Sequence, residues 1–190
     1  MPKTASEAAL EVLTDLLLSN SSYSHTIHAP LEKIDVASWV FSLPEAEYQR
    51  CAPPDHIAAG STTTDDGRPM SINVEMIGTS LMIQHYVGEI VERHHCRLVS
   101  VSDGFTPAGR SKVQVVWDLS VRPIDSETCE YTNSVTAHPT NLFLAFVEEQ
   151  GMSFVRCEHR TCRAGKRLMR SQGWGRAQGR GMLRRLARAR

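Results

Sequence analysis

Residues 112–122, KVQVVWDLSVR, place Val113, Val115, Trp117, Leu119 and Val121 on one side of an extended chain and Gln114, Asp118 and Ser120 on the other. Side chains alternate across a strand, so this two-residue period marks a half-buried antiparallel strand with an apolar face for a core and a polar face for water. The same period recurs on both sides. Residues 56–64, 69–77, 80–91 and 93–102 read as strands, divided by Asp65, Asp66 and Gly67, by Gly78, and by a turn between the last two. Asp-Gly is a hairpin signal because the favoured two-residue turns need positive φ. A loop with Asp103, Gly104, Pro107 and Gly109 leads into 112–122, which ends at Pro123; residues 126–138 form the last strand, closed by Pro139. Six strands in sequence with short connections make a meander, and one this long curls to bury one face.

Before the meander, residues 23–29 alternate Tyr23, His25 and Ile27 against Ser24, Thr26 and His28, and Pro30 closes that strand. Two short helices are expected next. Asp35 caps a turn holding Val36, Trp39 and Val40; Ser42 and Glu45 form a capping box for the second, with Pro44 in its first turn and Pro53 and Pro54 ending it. After the meander, Thr140 caps a helix carrying Leu142, Phe143, Ala145 and Phe146, with Gly151 as its C′ residue. At the start of the chain, Thr4 and Glu7 read as a capping box. Behind it Ala9, Leu10, Leu13, Leu16 and Leu17 make a helical stripe that packs on the main domain or on a second copy in a homodimer.

The formal net charge of the 190 residues is zero, and the zero is a cancellation. Through Phe154 nine Lys and Arg face twenty Asp and Glu, whereas from Val155 onward twelve basic residues face Glu158 alone. The expected organisation is an N-terminal helix in 1–21, a main domain in 22–154 and a basic Arg/Gly-rich tail in 155–190. Gly165, Gly173, Gly175, Gly179 and Gly181 would each cost about 1 kcal/mol in a helix interior relative to Ala, so the tail reads as poorly ordered. Its charge and Trp174 suit non-specific, salt-sensitive nucleic-acid binding, which without an ordered surface ranks below a small molecule as the partner. Glu7, Glu11 and Asp15 break up the first apolar positions and argue against a signal peptide, and no stretch approaches the roughly 20 apolar residues of a membrane span. Five scattered cysteines (Cys51, Cys96, Cys129, Cys157 and Cys162) read as reduced thiols of a cytoplasmic protein.

In element order, residues 23–150 resemble the helix-grip fold of the START and Bet v1-like superfamily, which includes polyketide cyclases and aromatases. The resemblance rests on an opening strand ending in Ala29-Pro30, the helix pair in 34–51, the six-strand meander and the helix from Thr140, and it covers about two thirds of the chain. It implies an α+β fold in which a curved antiparallel sheet of about seven strands grips a C-terminal helix over an apolar cavity. It also implies a small hydrophobic or aromatic ligand in that cavity. The alternative on the same scaffold is a cyclase, dehydratase or isomerase acting on a polyketide-like substrate. The helical pattern fades at Gly151, where the family continues a long final helix.

Met70, His85, Tyr86, Arg97, Trp117 and Phe143 are the expected ligand contacts. His85 or Tyr86 would move protons, because Leu81, Ile83 and Val87 share the parity of His85 and a polar group facing a dry cavity has a perturbed pKa. Glu75 shares the parity of Ser71 and Asn73, and Asp118 opposes Trp117, so both are expected in water. No metal site is expected: His94 and His95 point to opposite faces of a strand and could join one site only at a turn, no Asp or Cys completes a recognisable spacing with them and His85, and Cys157, His159 and Cys162 lack a fourth ligand. Nor does the sequence carry a phosphate loop, a dinucleotide fingerprint or a Gly-x-Ser-x-Gly elbow, so no cofactor is expected either.

Overall fold

The structure, a computed structural model, describes residues 9–151. Its core is one curved antiparallel sheet of β1 (Ser19–Ile27), β2 (His56–Thr63), β3 (Pro69–Ile77), β4 (Ser80–Glu92), β5 (His95–Thr106), β6 (Gly109–Pro123) and β7 (Cys129–Pro139), in the spatial order β1-β7-β6-β5-β4-β3-β2. Strands β2 to β7 form the expected meander. β1 lies outside it, pairing with β7 from Ser19↔Ala137 to Ile27↔Cys129. The chain must therefore cross from one edge of the sheet to the other between β1 and β2. It does so through a 3-10 turn (Leu31–Lys33) and the helices α1 (Val36–Phe41) and α2 (Glu45–Cys51).

Burial explains where that crossing goes. Val36, Ala37 and Val40 of α1 are buried and join a core with Ile27, Ile34, Leu98, Trp117, Leu119 and Tyr131, so α1 covers one face of the sheet, which we call the inner face. Asp35 caps α1 as expected, its Oδ1 accepting from the Ser38 N–H at 2.8 Å. Gly88 on β4 faces the same way; a Cβ there would lie 2.6 Å from Val91 Cγ2, 3.3 Å from Pro69 Cγ and 3.4 Å from Phe41 Cζ. The missing side chain lets the end of α1 approach the sheet, beside a bulge that shifts the β4–β5 register between Gly88 and Ile90. α3 (Asn141–Glu149) follows β7, with Thr140 Oγ1 accepting from the Phe143 N–H at 3.1 Å and Gly151 at φ +69° closing it.

Several expectations change. The part of the N-terminal helix that falls in residues 9–18 is non-helical chain with one turn at 14–15: Val12 bridges Thr140, and the N–H groups of Leu13 and Leu18 donate to Pro139 and Ala137 carbonyls at 2.9 Å. Asn141 holds the same segment, accepting from the Glu11 N–H and donating to the Ala9 carbonyl. These bonds to β7 and α3 take the groups a helix would have paired locally. Thr4, Glu7 and the basic tail 155–190 lie outside the described residues. Ser42 is not a capping box for α2; its hydroxyl donates to the Ser38 carbonyl at 2.6 Å at the end of α1, and Pro44 stands at the N-cap of α2 rather than in its first turn. Asp103 and Gly104 belong to β5 rather than to a loop. Gly104 makes room for Met82 Sδ, and Asp103 is paired with Arg110 and Lys112 at 2.8 and 2.7 Å.

Candidate functional site

The inner face has two zones. Across β5, β6 and β7 it is apolar and aromatic, with Leu98, Val115, Trp117, Leu119, Tyr131 and Val135 in the core. Toward β3 and β4 it turns polar without becoming exposed: Ser71, Asn73, Glu75 and Gln84 are each 5% exposed or less. Tyr86 stands between the zones, its ring centroid 5.4 Å from that of Trp117 at an interplanar angle of 56°. Trp117 Nε1 donates to Asn133 Oδ1 at 3.0 Å, which satisfies both buried groups.

Glu75 and His56 form the centre of the polar zone. They are register partners at the start of the β2–β3 pairing, and Glu75 Oε2 lies 3.5 Å from His56 Nε2. The other ring nitrogen, Nδ1, is 2.9 Å from the Tyr48 carbonyl, an acceptor only, so Nδ1 carries the hydrogen and Nε2 presents its lone pair to Glu75. The Tyr48 ring stacks on the imidazole at 3.9 Å and 8°, fixing its plane. Around this pair four buried atoms have no hydrogen-bond partner: Glu75 Oε1, both polar atoms of the Gln84 amide, and the Tyr48 hydroxyl.

Electrostatics follows from the dryness. Burial pushes the Glu75 carboxyl up to about 7; the nearby Gln84 amide, although it does not meet hydrogen-bond geometry, pulls the other way, and the Asp55 charge adds to the rise. Burial lowers the His56 pKa against the opposing pull of the Tyr48 carbonyl and Asp55. The Tyr48 and Tyr86 phenols are raised, first by burial and then by the Glu75 charge, and both stay neutral. A carboxyl that titrates near neutrality, with one oxygen held beside an imidazole and the other without a partner, can take up and release a proton under ordinary conditions.

No protein-family model and no curated protein matches the chain. Solved structures do. A START superfamily protein from Mycobacterium smegmatis is 13% identical with a TM-score of 0.53, over 90% of this chain and 99% of that one. The Zhui aromatase/cyclase from Streptomyces sp. R1128 is 11% identical with a TM-score of 0.55, over 90% and 94%. A protein from Thermus thermophilus is 14% identical with a TM-score of 0.53, over 90% and 99%. The chain has the START-like helix-grip fold. At these identities the likeness is one of fold, and the chemistry must be read from this helix-grip domain's own residues.

Of the expected site residues, the structure brings Tyr86 and Trp117 together on the inner face. Met70, His85 and Arg97 it places on the other side of the sheet. Met70 pairs with Val87 and Ile72 with His85, all outward, and the His85 N–H donates to Ser100 Oγ at 2.8 Å. Arg97 ion-pairs with Glu89 at 3.0 Å and lies 3.8 Å from Asp118, which faces outward as expected. Phe143 is half-buried on α3, which packs against β6 and β7, with Phe146 beside Gly109. Glu75, expected in water, is 4% exposed and central. The cause is an inversion of polarity in β3 and β4: Met70, Ile72, Val74, Met76, Leu81 and Ile83 line the outer face, and the polar residues line the inner one. Hairpin register was the available signal. Trp117 pairs with Leu98 and Leu98 with Gly88, so Gly88, Tyr86 and Gln84 face the core together and their neighbour His85 cannot.

His94 and His95 meet different partners near an open outer cleft of about 620 Å³ lined by Glu92, Arg93, His94, His95, Asp118, Ser120 and Val121. His95 Nε2 is 3.2 Å from Asp118 Oδ2, whereas His94 Nε2 is 3.1 Å from the Leu31 carbonyl. Among the described residues no group of three His, Cys, Asp or Glu is placed to hold a metal ion. Among the described residues Cys51, Cys96 and Cys129 form no disulfide, and no helix is long and apolar enough to cross a membrane.

Proposed function

We propose that this helix-grip domain binds a small aromatic or hydrophobic molecule against the inner face of its sheet, with the body of the ligand near Tyr86 and Trp117 and its polar end toward Glu75, Gln84 and Tyr48. The observation that carries the reading is the cluster of buried atoms without partners. A buried polar group left unsatisfied costs about 1–3 kcal/mol, and a native fold rarely concentrates such groups unless a ligand or bound water completes them. An apolar surface with a few convergent polar groups is also the usual makeup of a small-molecule site. The aromatase/cyclase of similar fold supports the scaffold as one suited to such a role.

Native mass spectrometry tests this with 2-naphthol, a planar aromatic carrying one hydroxyl. A one-to-one adduct that is lost in Trp117→Ala and weakened in Gln84→Leu supports the site. Adducts that are absent, or equal in all three proteins, overturn it.

A further inference from the structure

The Glu75–His56 pair holds more chemistry than binding requires. The Tyr48 carbonyl sets the imidazole hydrogen, the Tyr48 ring sets the imidazole plane, and Glu75 Oε2 lies 3.5 Å from the imidazole Nε2, which accepts from the carboxyl when that is protonated. Oε1 has no hydrogen-bond partner, and neither has the Gln84 amide, although that amide lies near enough to draw the carboxyl's pKa down. Glu75 pairs with Met82 and Asn73 with Gln84, so Glu75 and Gln84 are diagonal neighbours on one face. Such Cβ atoms stand roughly 7 Å apart, so the two side-chain ends come close on the inner face.

We infer that this cluster is a proton-transfer site for enolisable ketones, with Glu75 as the base and acid and Gln84 as the donor to the carbonyl oxygen. The inference rests on the ligand-binding reading above. Glu75 Oε1 takes a proton from the carbon next to the carbonyl. The electrons of that C–H bond form the enolate C=C bond, and the carbonyl π pair moves to oxygen, where the Gln84 N–H donates to the charge that develops. The proton then returns from Glu75 to the same carbon, or to the far end of a conjugated system, which shifts a double bond. Nothing is oxidised or reduced, and no further reactant is consumed. The titratable groups around Glu75 are Tyr48 on α2, Asp55 ahead of β2, His56 on β2 and Tyr86 on β4; the tyrosines stay neutral, so the active form is set by Glu75 and its imidazole partner.

The test uses 2-tetralone, an aromatic ketone, in D2O. Deuterium uptake next to the carbonyl is followed by mass spectrometry, and binding by the shift in melting temperature. The wild-type protein should exchange about 100-fold faster than buffer, with a rate that rises with pH through a midpoint near 7. Glu75→Gln should return exchange to the buffer rate while 2-tetralone still raises the melting temperature, and Gln84→Leu should slow exchange by about tenfold. Melting shifts without exchange in the wild type, or undiminished exchange in Glu75→Gln, overturn the proton-transfer role and leave the binding reading standing. Neither a shift nor exchange overturns both.

Discussion

Glu75 is a carboxyl whose ionisation the fold opposes, and the sign of that opposition can be measured. Its folded pKa of about 7 lies above the ordinary 4.5, so the native state holds the proton more tightly than the unfolded chain does. The associated stability is complete below pH 4.5 and is lost as the pH rises through 7. Replacing it with neutral Gln should stabilise the protein by about 3 kcal/mol at pH 8 and by almost nothing at pH 4, as read by urea unfolding. Equal effects at both pH values would mean a solvated carboxyl. His56 acts with the opposite sign: its lowered pKa means that stability falls as the pH drops below about 6.5. Trp117→Phe should cost about 1–3 kcal/mol in the same assay, because it orphans the buried Asn133 Oδ1. At this scale Trp117 and Tyr86 were legible, being large aromatics in alternating strands. Glu75 and His56 were not, because their burial depends on α2, the β2 edge and a sheet face that no local pattern specifies.

Among the elements, the strands were readable because Gly, Pro and Asp-Gly punctuate them, and their observed ends fall within a few residues of those marks. Two elements show why local pattern fails elsewhere. The leucines of residues 9–18 have a helical period, yet Leu10 and Leu17 are 44% and 47% exposed, and the backbone is bonded to β7 and Asn141 instead. In β3 and β4 the more apolar parity faces outward, so hydrophobicity alone chose the wrong side, whereas the pairing register carried the right one. The packing of α1 on the sheet is open to direct trial. Gly88→Ala should cost about 1–3 kcal/mol by crowding Val91, Pro69 and Phe41, measured as a drop in urea midpoint at unchanged m-value. Asp35→Ala should cost about 1 kcal/mol through loss of the α1 cap, with no change in ligand adducts.

For the whole molecule, the long crossing from β1 to β2 is what places α1 over the inner face, where the proposed site lies. A ligand bound there stabilises the native state alone, so 2-naphthol at about 100 times its Kd should add about 2.7 kcal/mol of stability. A smaller gain in Gln84→Leu at the same concentration would locate the polar end.

The pairing of β1 with β7 also has a consequence for how the protein is made. In the finished sheet Ser22 and Ser134 share a hydroxyl contact at 2.8 Å across 112 residues of chain. At a synthesis rate of about 5–20 residues per second, β1 leaves the ribosome roughly 6–22 s before its partner exists. Through that interval it is a strand with two open edges, the condition that invites pairing with the wrong chain. Its sequence, SNSSYSHTI, is mostly small and hydroxylic, and most of it stays exposed even after folding. The same serines that give β1 little hold on the core leave the nascent strand little reason to aggregate while it waits.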